Sequence, residues 1–279
     1  MSKTVRIAVA ALAVGLCAAA GFALQGDPQN FAADLYVPGA PEIAVAAAPR
    51  AAAASAPTPH RTPGAILFDN GPLTTHPAGG SGGADASAVQ TALTLTLYGF
   101  GHAISSGFRM ADDFTVPAGG WNISQITFYA YQTGSTTTST INDVNLQIWN
   151  GPPGQVGSSV VFGDTTTNRL SGSSFSNIYR VLDTALTGNT RPIMADVVTV
   201  GTVLAPGTYW LDWQTGGTLA SGPWAPPVTI LGQTAKPGAN GLQYTTTWAA
   251  ALDTTFQQDL PFIIEGVLLP VELTSFGVE

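Results

Sequence analysis

Residues Val144 to Trp149 read Val-Asn-Leu-Gln-Ile-Trp, with an apolar side chain at every second place. A period of two belongs to a β-strand with one buried face, and it predicts Val144, Leu146 and Ile148 inward and Asn145, Gln147 and Trp149 outward. The same alternation sets Ile126, Phe128 and Ala130 against Gln125, Thr127, Tyr129 and Tyr131. A third instance sets Tyr209, Leu211 and Trp213 against Trp210, Asp212 and Gln214. Short β-branched and aromatic runs separated by Gly, Pro, Asn and Asp clusters continue from Ala65 almost to the C-terminus. They predict strands at Ile66 to Phe68, Leu93 to Tyr98, Asp113 to Val116, Ile123 to Tyr131, Val144 to Trp149 and Ser159 to Phe162. Further strands are predicted at Ile178 to Leu182, Ile193 to Val203, Thr208 to Gln214, Val228 to Leu231, Leu242 to Thr246 and Phe262 to Leu268. About ten to twelve short strands in one domain imply an all-β fold, a two-sheet β-sandwich of jelly-roll-like type over residues 65–268. No repeat of fixed period accompanies them, which disfavours solenoids and propellers.

Ahead of this domain the texture differs. Residues 24–64 are rich in Ala and Pro and lack sustained periodicity, so they read as a linker or disordered N-terminal arm. A short helix around Ile43 to Ala54 is the competing reading, bounded by Pro41 and Pro57 and interrupted by Pro49. At the very start, Lys3 and Arg6 precede an unbroken apolar run from Ile7 to Ala20, followed by small residues that permit cleavage at Ala20 or Ala23. Residues 1–23 therefore read as a secretory signal peptide, and the protein is expected to be secreted or extracellular. The only cysteine, Cys17, lies inside that run, so the exported portion is expected to have no disulfide and to rest on its core alone. Leu16 stands where a lipoprotein signal needs a small residue, which argues against a lipid anchor on Cys17. No transmembrane anchor is expected further on, because the apolar stretch from Leu260 to Val271 is interrupted by Glu265 and Pro270.

Charge narrows the partners. The chain has 9 basic and 17 acidic residues; without Lys3 and Arg6 the balance is 7 − 17 = −10, with Lys236 the only lysine left. Nucleic acid is excluded as an expected ligand on that balance. Charged residues make up 9% of the chain, so solubility falls to Thr, Ser, Asn, Gln and Gly, a surface that suits neutral polymers.

The segment Ala111-Asp112-Asp113-Phe114-Thr115-Val116-Pro117, continuing to Trp121-Asn122-Ile123, resembles a motif of β-sandwich modules in secreted bacterial proteins. Leu204-Ala205-Pro206-Gly207-Thr208-Tyr209-Trp210-Leu211 and Asp259-Leu260-Pro261-Phe262-Ile263-Ile264-Glu265-Gly266 extend the resemblance. It implies a jelly-roll domain of an extracellular surface protein and brings no catalytic residues with it. The tail, residues 269–279, begins Leu-Pro-Val-Glu-Leu-Thr-Ser-Phe and resembles the sequence that joins a last domain to a sorting region, but neither an anchor nor a basic cluster follows.

Candidate chemistry is sparse. Gly79-Gly80-Ser81-Gly82-Gly83 satisfies the G-x-S-x-G pattern of serine hydrolases, with His76 or His102 as candidate bases for Ser81 or Ser105. A buried strand before it and an amphipathic helix after it are both missing, so a flexible loop is the expected reading. A glycosidase needs two placed carboxylates, and of four glutamates only Glu265 falls in a predicted strand. Structural calcium is conceivable at Asp69, Asn70, Asp112, Asp113 and Asp143, whose oxygens suit a hard cation; adjacent Asp112 and Asp113 point to opposite faces of a strand. No cofactor is required. The one constellation that follows from alternation is the outward set Tyr129, Tyr131, Trp149, Trp210, Asp212 and Gln214, aromatics with amides and a carboxylate, suited to a glycan or cell-surface polymer if their strands share a sheet. The alternative is that loops at Thr133 to Thr140 or Ser221 to Pro227 fold over these aromatics and bury them in a secondary core. The expected function is a secreted, non-catalytic module in surface structure, adhesion or assembly that binds carbohydrate; the alternative is a secreted hydrolase acting on a polysaccharide or ester.

Overall fold

The structure, a computed structural model, describes residues 32–39 and 64–270. The expected signal peptide with Cys17, most of the expected arm and nearly all of the tail lie outside the described residues. The strands are β1 (Ala33–Leu35), β2 (Ala65–Asp69), β3 (Asp85–Val89), β4 (Leu97–Gly101), β5 (Arg109–Val116), β6 (Trp121–Ala130), β7 (Ile141–Trp149) and β8 (Val160–Asp164). They continue with β9 (Leu170–Leu182), β10 (Pro192–Leu204), β11 (Gly207–Gly217), β12 (Trp224–Ala225), β13 (Leu242–Tyr244), β14 (Trp248–Ala250), β15 (Leu252–Asp253), β16 (Phe256–Gln257) and β17 (Phe262–Leu268).

Two six-stranded sheets form the sandwich, in the orders β2-β17-β6-β10-β9-β3 and β14-β13-β5-β11-β7-β8. The chain crosses repeatedly between them, and late strands insert between early ones: β17 between β2 and β6, β11 between β5 and β7. That interleaving is the double Greek key of a jelly roll, with β2-β17-β6-β10 facing β5-β11-β7-β8. The alternation read from the sequence sets the interior. Ile126, Phe128, Ala130, Val144, Leu146, Ile148, Leu211 and Trp213 all belong to the main core, and Tyr209 packs against it. Phe128 stacks on Trp213 with centroids 4.6 Å apart, and Phe114 lies parallel to Trp121 at 6.0 Å. Each such ring removes roughly 150–250 Å² from water, which lets the domain hold together with no cysteine among the described residues.

A second core lies beside the first and comprises Leu73, Val89, Leu95, Tyr98, Tyr131, Leu182, Ile193 and Trp224, with Tyr129 packed against it. It is roofed by a three-stranded sheet in the order β1-β4-β12. Part of the stretch read as a linker is thus a strand: β1 pairs with β4 and is fastened by Asp34. One carboxylate oxygen of Asp34 accepts from Arg191 Nε (2.9 Å), the Tyr131 hydroxyl (3.0 Å) and the Thr133 hydroxyl (3.2 Å). Fully buried Arg180 ties the layers together, donating to the carbonyls of Leu97 and Tyr98 and to the hydroxyls of Ser87 and Thr229. Burial pulls its pKa down to about 10.

The expected strand at Val228 to Leu231 has no ladder pairing: Val228 and Thr229 are buried and bond the carbonyls of Asp259 and Pro72 instead, while Leu231 is exposed in a turn. The strand expected from Leu93 starts at Leu97, because Thr91–Leu93 forms a helical turn that ends on Thr94 at φ 66.

Candidate functional site

Strands β5, β11 and β7 are neighbours in one sheet, and their outward residues lie in register. Trp210 stands between Asp113 and Trp149, Asp212 between Ala111 and Gln147, and Gln214 beside Asn145. The condition set by the sequence therefore holds for Trp149, Trp210, Asp212 and Gln214. It fails for Tyr129 and Tyr131, because β6 belongs to the other sheet. Tyr131 is fully buried and pairs with Trp224 in the second core, so the segment Ser221 to Pro227 covers it, while Tyr129 is partly buried against the same core. Alternation assigns a face to a side chain and says nothing of what lies over that face.

Asp212 is the centre of the remaining set. Its Oδ2 accepts from Arg109 Nη1 at 2.9 Å and from Trp149 Nε1 at 3.1 Å. Its Oδ1 is buried and has no hydrogen-bond partner. Burial pushes the Asp212 pKa up to about 7, against the opposing pull of Arg109 and the Trp149 indole. A buried carboxylate oxygen left unpaired is costly, and the Asp212 side chain is itself enclosed, so its part in this face is to hold Arg109 and the Trp149 indole in place.

Arg109 is held on two sides. Its Nη1 also donates to Gln147 Oε1 at 3.3 Å, and its guanidinium carbon sits 4.6 Å from the Tyr244 ring centroid and 5.1 Å from that of Trp248. The hairpin of β13 and β14 supplies both rings, since β13 pairs with β5 and sets Tyr244 beside Arg109 and Trp248. The β7–β8 loop reaches the same place. A Cβ on Gly154, at φ +79, would lie 2.8 Å from Trp248 Cδ1, so only glycine lets the loop lie against that ring. The outer face thus gathers three partly buried aromatics, Trp149, Tyr244 and Trp248, around an Arg109–Asp212 ion pair.

Two expected ligand groups are already engaged or enclosed. Gln214 Nε2 donates to Asn145 Oδ1 and to the Thr165 carbonyl, both at 2.8 Å, and the residue is 6% exposed. Trp210, although off the core face, is only 7% exposed. Arg109, Gln147, Tyr244 and Trp248 were not singled out from the sequence. Gln147 was visible in its alternation; the other three reach the site through pairings of β5 and β13 that have no local signature.

The five residues considered for calcium do not all gather. Asp69 Oδ1 accepts from the Gly71 amide two residues on, a local turn bond, and Asp143 accepts from Asn145 on β7. Asn70 and Asp112 do meet, with Asn70 Nδ2 donating to Asp112 Oδ2 at 2.9 Å. Asp112 accepts further from the amides of Leu260 (2.6 Å) and Asp113 (2.8 Å), and burial raises its pKa well above the usual carboxylate value, with Asp259 adding to the rise. The cation among these groups is Lys236, whose Nζ donates to Asn70 Oδ1 and lies 3.2 Å from Asp259 Oδ2. Among the described residues, no group of three or more His, Cys, Asp or Glu is arranged to hold a metal ion.

The hydrolase pattern is not assembled either. Ser81 opens a single helical turn, Ser81–Gly83, in which Gly82 and Gly83 have φ +65 and +81, and the chain then enters β3. His76 Nδ1 shares a hydrogen bond with the Thr75 hydroxyl. His102 is fully buried, and burial lowers its pKa to about 4. No hydrogen bond joins Ser81 to either histidine among the described residues.

Among the described residues, no helix is long and apolar enough to cross a membrane. Comparison of the chain with protein-family models, curated proteins and solved structures finds no match to any of them.

Proposed function

We propose that this chain is a secreted, non-catalytic extracellular module of surface structure, adhesion or assembly that binds a carbohydrate on the outer face of the β5–β11–β7 sheet. The observation that carries this reading is the cluster of partly exposed aromatics, Trp149, Tyr244 and Trp248, around Arg109, which buried Asp212 holds in place. A pyranose offers apolar C–H faces to aromatic rings and hydroxyls to the partly exposed Arg109 and Gln147, so both halves of the site have a use for it. The signal-peptide reading of residues 1–23 and the net negative charge agree with a neutral extracellular polymer as partner.

A glycan array followed by titration of the best binder tests the proposal. Trp149→Ala should weaken binding about tenfold or more, by analogy with anchor residues at other interfaces, and should cost about 1–3 kcal/mol of stability because buried Asp212 loses its indole donor. Trp210→Ala should lower both binding and stability, since Trp210 is buried. Absence of binding to every glycan, or binding indifferent to Trp149→Ala, refutes the assignment of this face.

A further inference from the structure

Asn70, Lys236 and Asp112 form a group that neither the sandwich nor the binding face explains. Asn70 directly follows β2, the first strand of the main sandwich, and Lys236 lies in the segment that leads to β17, the last. These residues are 166 positions apart, yet the Lys236 ammonium touches the Asn70 carboxamide at 2.5 Å. The orientation of that carboxamide is set by its neighbours: an ammonium only donates and so faces the oxygen, and a carboxylate accepts and so faces the nitrogen. The carboxylate is Asp112, completely buried at the end of the main core, with Oδ2 2.9 Å from Asn70 Nδ2. Asn70 is itself 2% exposed, and its Nδ2 also donates to the Leu260 carbonyl at 2.9 Å. A second carboxylate, Asp259, lies 3.2 Å from the same Lys236 nitrogen.

We propose that Lys236 and Asn70 are the partners of an autocatalytic intramolecular isopeptide bond, with Asp112 as the proton shuttle. An amine held against the oxygen of a carboxamide lies beside the carbon it must attack, and confinement converts a very slow bimolecular aminolysis into a unimolecular one. Asp259 takes one proton from the Lys236 ammonium, and the neutral amine adds to Asn70 Cγ. Asp112 carries a second proton from Nζ to Nδ2, the Cγ–Nδ2 bond breaks, and the leaving group departs as ammonia. The products are a Lys236 Nζ–Cγ Asn70 amide and ammonia, which leaves as ammonium with the proton first held by Asp259. No oxidant or cofactor takes part. The bond would tie the end of the first sandwich strand to the segment entering the last, in a domain whose described residues include no cysteine. The inference is independent of the carbohydrate reading.

Intact-mass measurement of the purified chain, with its N-terminus determined, decides the matter. The expected mass is below the sequence mass by one ammonia, and peptide mapping should return a branched peptide joining Lys236 to Asn70. Cyclisation of Asn70 onto the Gly71 amide would also release ammonia, so Lys236→Arg separates the two: the proposal requires the full sequence mass in this variant. A wild-type chain at full mass, or a deficit that persists in Lys236→Arg, overturns it. Asp112→Asn, compared with the wild type on material shown by circular dichroism to be folded, should also stay at full mass; complete cross-linking there overturns the shuttle role.

Discussion

Asp196 offers the sharpest test of how this core is built. It lies on β10 between Met194 and Val198, in register with Phe128 on β6 and Ser173 on β9, and it is fully buried. Its Oδ1 accepts from Ser173 Oγ at 2.5 Å, while Oδ2 has no partner. Burial raises its pKa from 3.8 to about 7. The folded state therefore holds the Asp196 proton to higher pH than the unfolded state does. Its contribution to stability is fully present below about pH 4 and is lost as the pH rises through about 7. At 1.36 kcal/mol per pH unit, a rise from 3.8 to about 7 corresponds to about 4 kcal/mol. Asp196→Asn removes the ionisation and leaves the shape. Its amide nitrogen would replace the unpaired oxygen and lack an acceptor, at a cost of about 1–3 kcal/mol that does not depend on pH. The diagnostic quantity is therefore the stability of the variant minus that of the wild type, from denaturant unfolding at pH 4 and at pH 8. It should grow by about 4 kcal/mol across that interval. Asp212 titrates in the same range and is common to both proteins, so its effect cancels in the difference. A difference that stays flat with pH would refute the burial of an unpaired carboxylate at this position.

Arg180→Ala should destabilise the domain by about 3–5 kcal/mol, read from chemical denaturation, because it leaves two carbonyls and two hydroxyls of the second core without their donor. Asp34→Ala should cost about 2–3 kcal/mol and open the chain around β1 to limited proteolysis, because Arg191, Tyr131 and Thr133 all donate to that one carboxylate oxygen. Unchanged protease resistance would show that β1 is held by its ladder with β4 alone.

Much of this architecture is written in the sequence wherever a strand has one apolar face. β6, β7 and β11 were legible with their facing because the period of two is a local consequence of the pleat. β1 was not, because Ala-Asp-Leu has no pattern of its own and is positioned by Arg191 and Tyr131, far along the chain. β3 follows a Gly-rich turn and pairs parallel to β9, a partner that no local signal names. The site divides in the same way. Trp149, Trp210 and Asp212 were found because alternation expels them from the core. Tyr129 and Tyr131 were grouped with them by the same rule, which cannot tell one sheet from the other. Arg109, Tyr244 and Trp248 were missed because the strand expected to run to Thr246 stops at Tyr244 and turns back as β14. Of the residues considered for calcium, Asn70 and Asp112 meet, and Lys236 stands beside them, brought there from far along the chain by a pairing with no local signal.

The six tryptophans permit the most direct test of the proposed binding face. Trp149, Trp210 and Trp248 lie on the outer face of one sheet, Trp121 and Trp213 in the main core, and Trp224 in the second core. Each indole N–H gives its own signal in a ¹⁵N correlation spectrum, assignable by single Trp→Phe substitutions. During titration with the glycan that binds best, the account predicts progressive shifts of Trp149, Trp210 and Trp248, while Trp121, Trp213 and Trp224 stay in place. Saturable binding that moves the Trp224 signal and leaves Trp149 and Trp248 untouched would contradict it.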